Sequence, residues 1–351
     1  MRRAILLTAL SILAALLAVA CSAAAPSRSS ATATTGLTAS APRTFYVSPT
    51  GSDSHAGTSQ LAAWRTIGRV NRARLRAGDR VLFQGGATFA GPALAGNRGG
   101  VEGAPITYST FGAGNANLPA GVYIERHSFL VFDHLTIRGR SIRSSDGIVG
   151  RGSNITIENS VIANVLEGIA AITGDRWHVL GNRIEGTGDS GILTQSGDEG
   201  GRPGDGWVID GNIIANTGQV DLGYGEHGIY LKCRDSEVAH NTITNFKDNG
   251  ISQRYGNVTI AGNTISGGGT GIAFFPYDSQ PHTSRWTANV IGATETGLYA
   301  PASDSGSPPP GITLESFVIS SNTIGPLTRG SHDWINVHTR GQAAMRANLL
   351  R

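Results

Sequence analysis

The sequence predicts an all-β fold, a single-stranded right-handed parallel β-helix, from three observations. Glycine supplies 49 of 351 residues while charged residues make up only 15%, against roughly 25% in an average domain. From residue 130 onward one short pattern returns: apolar, any, Ile or Val, two residues, Asn, any, Ile. After each copy comes a second short run, usually opening on Gly and an aliphatic residue: GIAAI, GILTQ, GIYLK, GISQR, GIAFF and GLYAP. Successive motif asparagines (Asn159, Asn182, Asn212, Asn241, Asn263, Asn289 and Asn322) lie 23, 30, 29, 22, 26 and 33 residues apart. A minimum near 22 with longer outliers describes a coil of fixed circumference carrying insertions at its corners.

The first twenty residues lie outside this fold. Arg2 and Arg3 precede an apolar run from Ala4 to Ala20, too short for a membrane span and of signal-peptide length. The run ends on Ala18-Val19-Ala20-Cys21, which resembles the lipobox of bacterial lipoproteins. That resemblance implies a lipid at Cys21 and a cell-surface protein, with a soluble secreted product cut among Ala23 to Ala25 as the alternative. Residues 21–43 read as a flexible Ser/Thr/Ala tether, and 44–351 as the β-helix domain.

The stretch 44–85 departs from the repeat. Tyr46-Val47-Ser48-Pro49 with Gly51, Asp53, Gly57 and Thr58, then Trp64-Arg65-Thr66-Ile67 and Ala77-Gly78-Asp79, resembles the opening segment of β-helical carbohydrate-active enzymes of the pectate lyase-like type. In that pattern Leu61 to Leu75 supplies a short amphipathic helix over the open end of the stack, which otherwise exposes backbone and core. Asp53 and Asp79 read as turn residues.

Within the repeats, strict alternation puts Ile169, Ile192, Ile229, Ile251, Ile272 and Leu298 inside, with Ala171, Thr194, Leu231, Gln253, Phe274 and Ala300. The motif asparagines read as a corner ladder. Leucine-rich repeats would need a helix per unit, and a propeller four strands per blade. The outward residues make two columns: Ala170, Leu193, Tyr230, Ser252, Ala273, Tyr299, and Ile172, Gln195, Lys232, Arg254, Phe275, Pro301. Tyr230, Lys232 and Arg254 fall on adjacent coils, flanked by the insertions 197–206 and 217–228, and rigidly placed loops collect binding residues. The 217–228 insertion brings Asp221, Tyr224, Glu226 and His227 to the edge of this patch.

The formal charge of +3 names no partner, and no basic run interleaved with aromatics exists to bind nucleic acid. Apart from Cys21, Cys233 is the only thiol, so no disulfide framework and no zinc signature is present.

The segment 225–267 resembles the alginate lyase and chondroitinase B family of polysaccharide lyases. The matching residues are Gly225-Glu226, Lys232, Arg254-Tyr255-Gly256-Asn257 and Gly262-Asn263, with Tyr255 where the family has His. The resemblance implies a polysaccharide lyase acting on a uronate-containing glycan, with Lys232 as base and Arg254 at the substrate carboxylate. Proton loss beside that carboxylate builds charge that a cation must neutralise. Tyr230, Tyr255 or His227 would protonate the leaving oxygen. Calcium would sit at Glu226 and Asp221, and Gln195, Phe275, Tyr299 and His338 would extend the substrate site. The chain is expected to act as a monomer, and three alternatives stay open: an epimerase at the same carbon, a glycoside hydrolase using Glu226 with Asp248, and a glycan-binding surface lipoprotein without catalysis.

Overall fold

Three strands per turn follow from the two repeated motifs and the segment between them. In one coil they are Ile155–Glu158, Val161–Val165 and Ile169–Thr173. The computed structural model describes residues 41–195, 204–223, 225–277, 283–300, 317–328, 335–337, 344–346 and 348–350. The expected leader, Cys21 and most of the tether lie outside the described residues.

The strands that precede each asparagine stack into a 12-stranded parallel sheet. The strands that follow it form the second and third flanks. Those two flanks are joined because Thr264–Phe274 and Val290–Ala300 each run through the corner between them. Each flank buries its inner face, and the inner residues are β-branched and apolar as a covered parallel sheet requires. Ile169, Ile192, Ile229, Ile251, Ile272 and Leu298 stack with no exposed surface. Trp177 and Trp207 stack in the core with centroids 5.1 Å apart. The inward alternation is borne out, including buried Gln253, whose amide donates to Tyr255 O and Ser284 Oγ and accepts from Trp286 Nε1.

The first corner is built by a residue in the left-handed region followed by a ladder residue. Gly181, Gly211, His240, Gly262, Ala288 and Ser321 hold φ between 52° and 67°. Next come Asn182, Asn212, Asn241, Asn263, Asn289 and Asn322, each accepting through Oδ1 from the residue one coil below. Asn348 extends the ladder. One expectation is corrected: Asn159 is the left-handed corner residue, φ 50°, and Ser160 takes the ladder slot, its N–H donating to Asn182 Oδ1.

The N-terminal cap is also shorter than expected. The helix spans only Ile67–Asn71, capped by Thr66 Oγ1 accepting from the Arg69 N–H. Leu61 is outside it and almost fully exposed. Ile67 and Val70 close the core end while Trp64 stacks on Phe45 at 4.6 Å. Asp53 accepts from the N–H groups of Arg65 and Thr66, and buried Asp79 pairs with Arg43. Both are structural, as read from the sequence.

Candidate functional site

On the third flank the outward residues align in register along one line: Tyr123, Val149, Ala170, Leu193, Tyr230, Ser252, Ala273 and Tyr299. Polar and aromatic side chains concentrate around Tyr230. Lys232 Nζ lies 4.4 Å from the Tyr230 ring centroid, and Arg254 Cζ 5.0 Å from it. The two cations that the sequence placed on adjacent coils therefore share one ring. Tyr277, which sequence reasoning passed over, completes the group. Its hydroxyl is 2.6 Å from that of Tyr230, and its ring lies 4.6 Å from Arg254 Cζ and 5.8 Å from Lys232 Nζ. Phe275 packs on Arg254 from the other side at 5.0 Å and meets Tyr299 at 5.6 Å.

Backbone bonds hold these groups in place. The Lys232 N–H donates to Thr194 Oγ1, the Arg254 N–H to Leu231 O, and the Tyr277 N–H back to Arg254 O. Gln195 follows the strand Ile192–Thr194 in a left-handed turn, φ 70°, beside the start of this cluster. His338 lies outside the described residues; Asn336, in the strand Ile335–Val337, pairs with Tyr299.

Two of the expected proton donors are corrected by their burial. His227 is 2% exposed and meets the Tyr230 ring edge-on at 4.7 Å. Burial, together with the charges of Arg254 and Lys232, pushes its pKa down to about 3, so the imidazole is neutral and supports Tyr230 from behind. Asn249 Nδ2 lies 3.1 Å from its Nδ1, which assigns the ring proton to Nε2. Tyr255 is also buried, packed edge-on against Tyr277 and under Arg234.

The expected calcium pair is already neutralised. Glu226 is fully buried; its Oε1 accepts from the Leu222 N–H and its Oε2 from Lys247 Nζ at 2.8 Å. Asp221 is exposed and meets the same ammonium at 3.0 Å, which holds its carboxyl below the usual range. Among the described residues no group of three or more His, Cys, Asp or Glu is arranged to hold a metal ion. The Glu226–Asp248 pair is likewise internal, with Asp248 Oδ2 accepting the Glu226 N–H.

A different set of carboxylates borders the site. Asp146, Glu167 and Asp189 lie on successive coils at the corner that leads into the third flank, the first two directly before Gly147 and Gly168 and Asp189 two positions before Gly191. Burial raises Glu167 to about 7, helped by the charges of Asp189 and Asp146 and opposed by Lys232. Asp189 is raised as well, chiefly by burial and then by Glu226, against Ser190 hydrogen bonds and Lys232. Lys232 thus lies within electrostatic reach of both acids. Because the folded state of Glu167 binds its proton more tightly than the unfolded chain, its burial is free of charge cost below about pH 4.5. The penalty grows as pH rises through about 7. Glu167→Gln is expected to match the parent's urea stability at pH 4.5 and to exceed it at pH 8 by on the order of 2 kcal/mol; a pH-independent difference would contradict this.

This architecture defines the class: a right-handed parallel β-helix with its side-chain chemistry on one flank. The model of the family described as "Right handed beta helix region" matches residues 102–252 and 203–325, and the chain belongs to that family. No curated protein matches the chain. Among solved structures, it is similar to the GH136 lacto-N-biosidase from Eubacterium ramulus, with TM-score 0.59 and 14% identity over 88% of this chain and 68% of that one. It is also similar to a pectate lyase (TM-score 0.52, 15% identity, 89% of this chain and 78% of that one). A third is the alginate lyase from Paenibacillus sp. str. FPU-7 (TM-score 0.50, 16% identity, 87% and 99%). At these identities the likeness is one of fold.

Proposed function

We propose that the protein is a carbohydrate-active enzyme of the cell exterior that cleaves a uronate-containing polysaccharide by β-elimination. The observation that carries this reading is the convergence of Lys232 and Arg254 on the hydrogen-bonded Tyr230–Tyr277 pair. Arg254 offers the planar fork that suits a carboxylate. With that carboxylate held, Lys232 takes the proton from the adjacent carbon. The freed electron pair forms the carbon–carbon double bond as the glycosidic oxygen leaves, and that oxygen takes a proton from the tyrosine hydroxyl pair. Phe275 and Tyr299 supply flat surfaces on which sugar rings stack. The lyases among the structural relatives support the reading by analogy of scaffold, and a polymer too large to enter a cell fits the leader expected at residues 1–20.

A second reading rests on Glu167, a carboxyl that keeps its proton to about pH 7 beside Asp189. Paired carboxyls with separated affinities for the proton are the equipment of glycoside hydrolysis, and one structural relative is a lacto-N-biosidase. Incubation with a panel of uronate glycans decides between the two. Elimination creates a conjugated uronate that absorbs in the ultraviolet, whereas hydrolysis releases reducing ends without it. New reducing ends without absorbance, lost in Glu167→Gln and retained in Lys232→Ala, would replace the first reading by the second.

A further inference from the structure

A concave site lies on the flank that carries Tyr230, and together with the charges between it and the Tyr230 cluster it narrows the substrate class. The inference rests on the elimination reading. A pocket of about 430 Å³ is lined by Tyr123, Arg140, Ser144, Ser145, Asp146 and Val149, among others. Tyr123 is 39% exposed, unusual for a large side chain in this fold, and Arg151 Nη1 donates to its hydroxyl at 3.5 Å. A flat ring at the edge of a concavity, ringed by a carboxylate, a guanidinium and serine hydroxyls, matches a pyranose: carbon-bound hydrogens on one face, hydroxyls at the rim.

The register fixes the relation of this pocket to the Tyr230 cluster. Tyr123, Val149, Ala170, Leu193 and Tyr230 are consecutive positions of one outward column, so the two tyrosines stand about 19 Å apart at the ordinary strand spacing of about 4.8 Å. Between them Val149, Ala170 and Leu193 form a small apolar cluster, joined by Ile172 and Tyr230. That floor offers a carboxylate no donor. Its border carries Asp146, Glu167 and Asp189, and cations stand at its two ends, Lys232 and Arg254 by Tyr230 and Arg140 and Arg151 by Tyr123.

We infer that the bound glycan runs from the Tyr230 cluster to the Tyr123 pocket, with its uronate at Lys232 and Arg254 and uncharged sugars over the apolar floor between the two sites. The substrate class is then a heteropolysaccharide in which uronate is separated by neutral residues. A polyuronate laid along the same line would set its carboxylates over an apolar floor bordered by Asp146 and Asp189, joined by Glu167 once it ionises above about pH 7, and like charges repel.

The test compares polyuronates (alginate, polygalacturonate) with glycans in which a uronate alternates with an uncharged sugar, following the conjugated product. The expected result is a kcat/KM at least about tenfold higher on the alternating polymers, a difference worth about 1.4 kcal/mol. The double variant Asp146→Asn, Glu167→Gln is expected to narrow that gap by raising the rate on polyuronates. Tyr123→Ala, checked for fold by circular dichroism, is expected to raise KM about tenfold for long oligosaccharides and by a diminishing factor as the chain shortens. Equal or faster cleavage of polyuronates, or a Tyr123→Ala effect independent of chain length, overturns the inference and leaves the lyase reading standing. Elimination on neither class overturns both.

Discussion

Lys232→Ala is expected to lower turnover by about 100- to 10,000-fold, the usual loss when a proton-transfer group is removed. Fold stability should change little. The side chain is half-buried on the outer surface of the coil, and its contacts with the Tyr230 and Tyr277 rings are worth about 0.5–1 kcal/mol each at such a site. Arg254→Lys is the companion test because it keeps the charge. The guanidinium lies against Tyr230, Tyr277 and Phe275, at 5.0, 4.6 and 5.0 Å, and a compact ammonium reproduces neither that stacking nor a two-pronged grip on a carboxylate. The expected signature is a rise in KM for the acidic glycan together with a fall in kcat, since the carboxylate gains charge as the proton leaves. Steady-state kinetics on the purified variants, with urea unfolding as the control, read both quantities. Full activity in Lys232→Ala would remove the lysine from the chemistry and move Glu167 and Asp189 to the front.

The sequence made the coil legible because alternation and a fixed circumference leave few choices. Once Ile229 and Leu231 point inward, Tyr230 and Lys232 must point outward, and the same count one coil later puts Arg254 beside them. What alternation does not reach is the corners. Glu167 and Asp189 stand just before the strand, where a carboxylate reads as a solvated turn residue, and only the fold shows that they are partly desolvated and near Lys232. Glu226 reads as a ligand for the same reason in reverse: the ammonium that satisfies it belongs to Lys247, 21 residues away on the next coil, and sequence spacing does not assign that partner. Tyr277 lies in a stretch without period, after Pro276. Asn159 carries the motif asparagine but not the ladder slot, and the sequence holds the signal that tells the two apart. Asn182, Asn212, Asn241, Asn263, Asn289 and Asn322 each stand two positions before an inward Ile, and in ENSVI that place belongs to Ser160.

Asn241→Ala is expected to destabilise the fold by about 3–5 kcal/mol, near the upper end of single-substitution effects. Asn241 Oδ1 accepts from the backbone N–H and the Nδ2 of Asn212, both at 2.9 Å, while its own Nδ2 donates to Ile209 O and Asn263 Oδ1, also at 2.9 Å. Truncation strands the Asn212 N–H and the Ile209 carbonyl in a core position with no surface exposed at Asn212 or Ile209. Each stranded buried group costs about 1–3 kcal/mol. Asn241→Asp should be no milder, because a carboxylate can still accept from Asn212 but faces Ile209 O and Asn263 Oδ1 with no proton to give. The contrast is Asn159→Gly. Asn159 is exposed and holds φ 50°, a conformation glycine adopts without strain, and its amide makes one side-chain bond, to Asp133 Oδ1 at 3.0 Å. That variant should fall within about 1 kcal/mol of the parent. Urea midpoints measured on all three variants test the assignment directly: comparable losses for Asn159→Gly and Asn241→Ala would mean that the corner is held by backbone conformation, and that the ladder adds little to it.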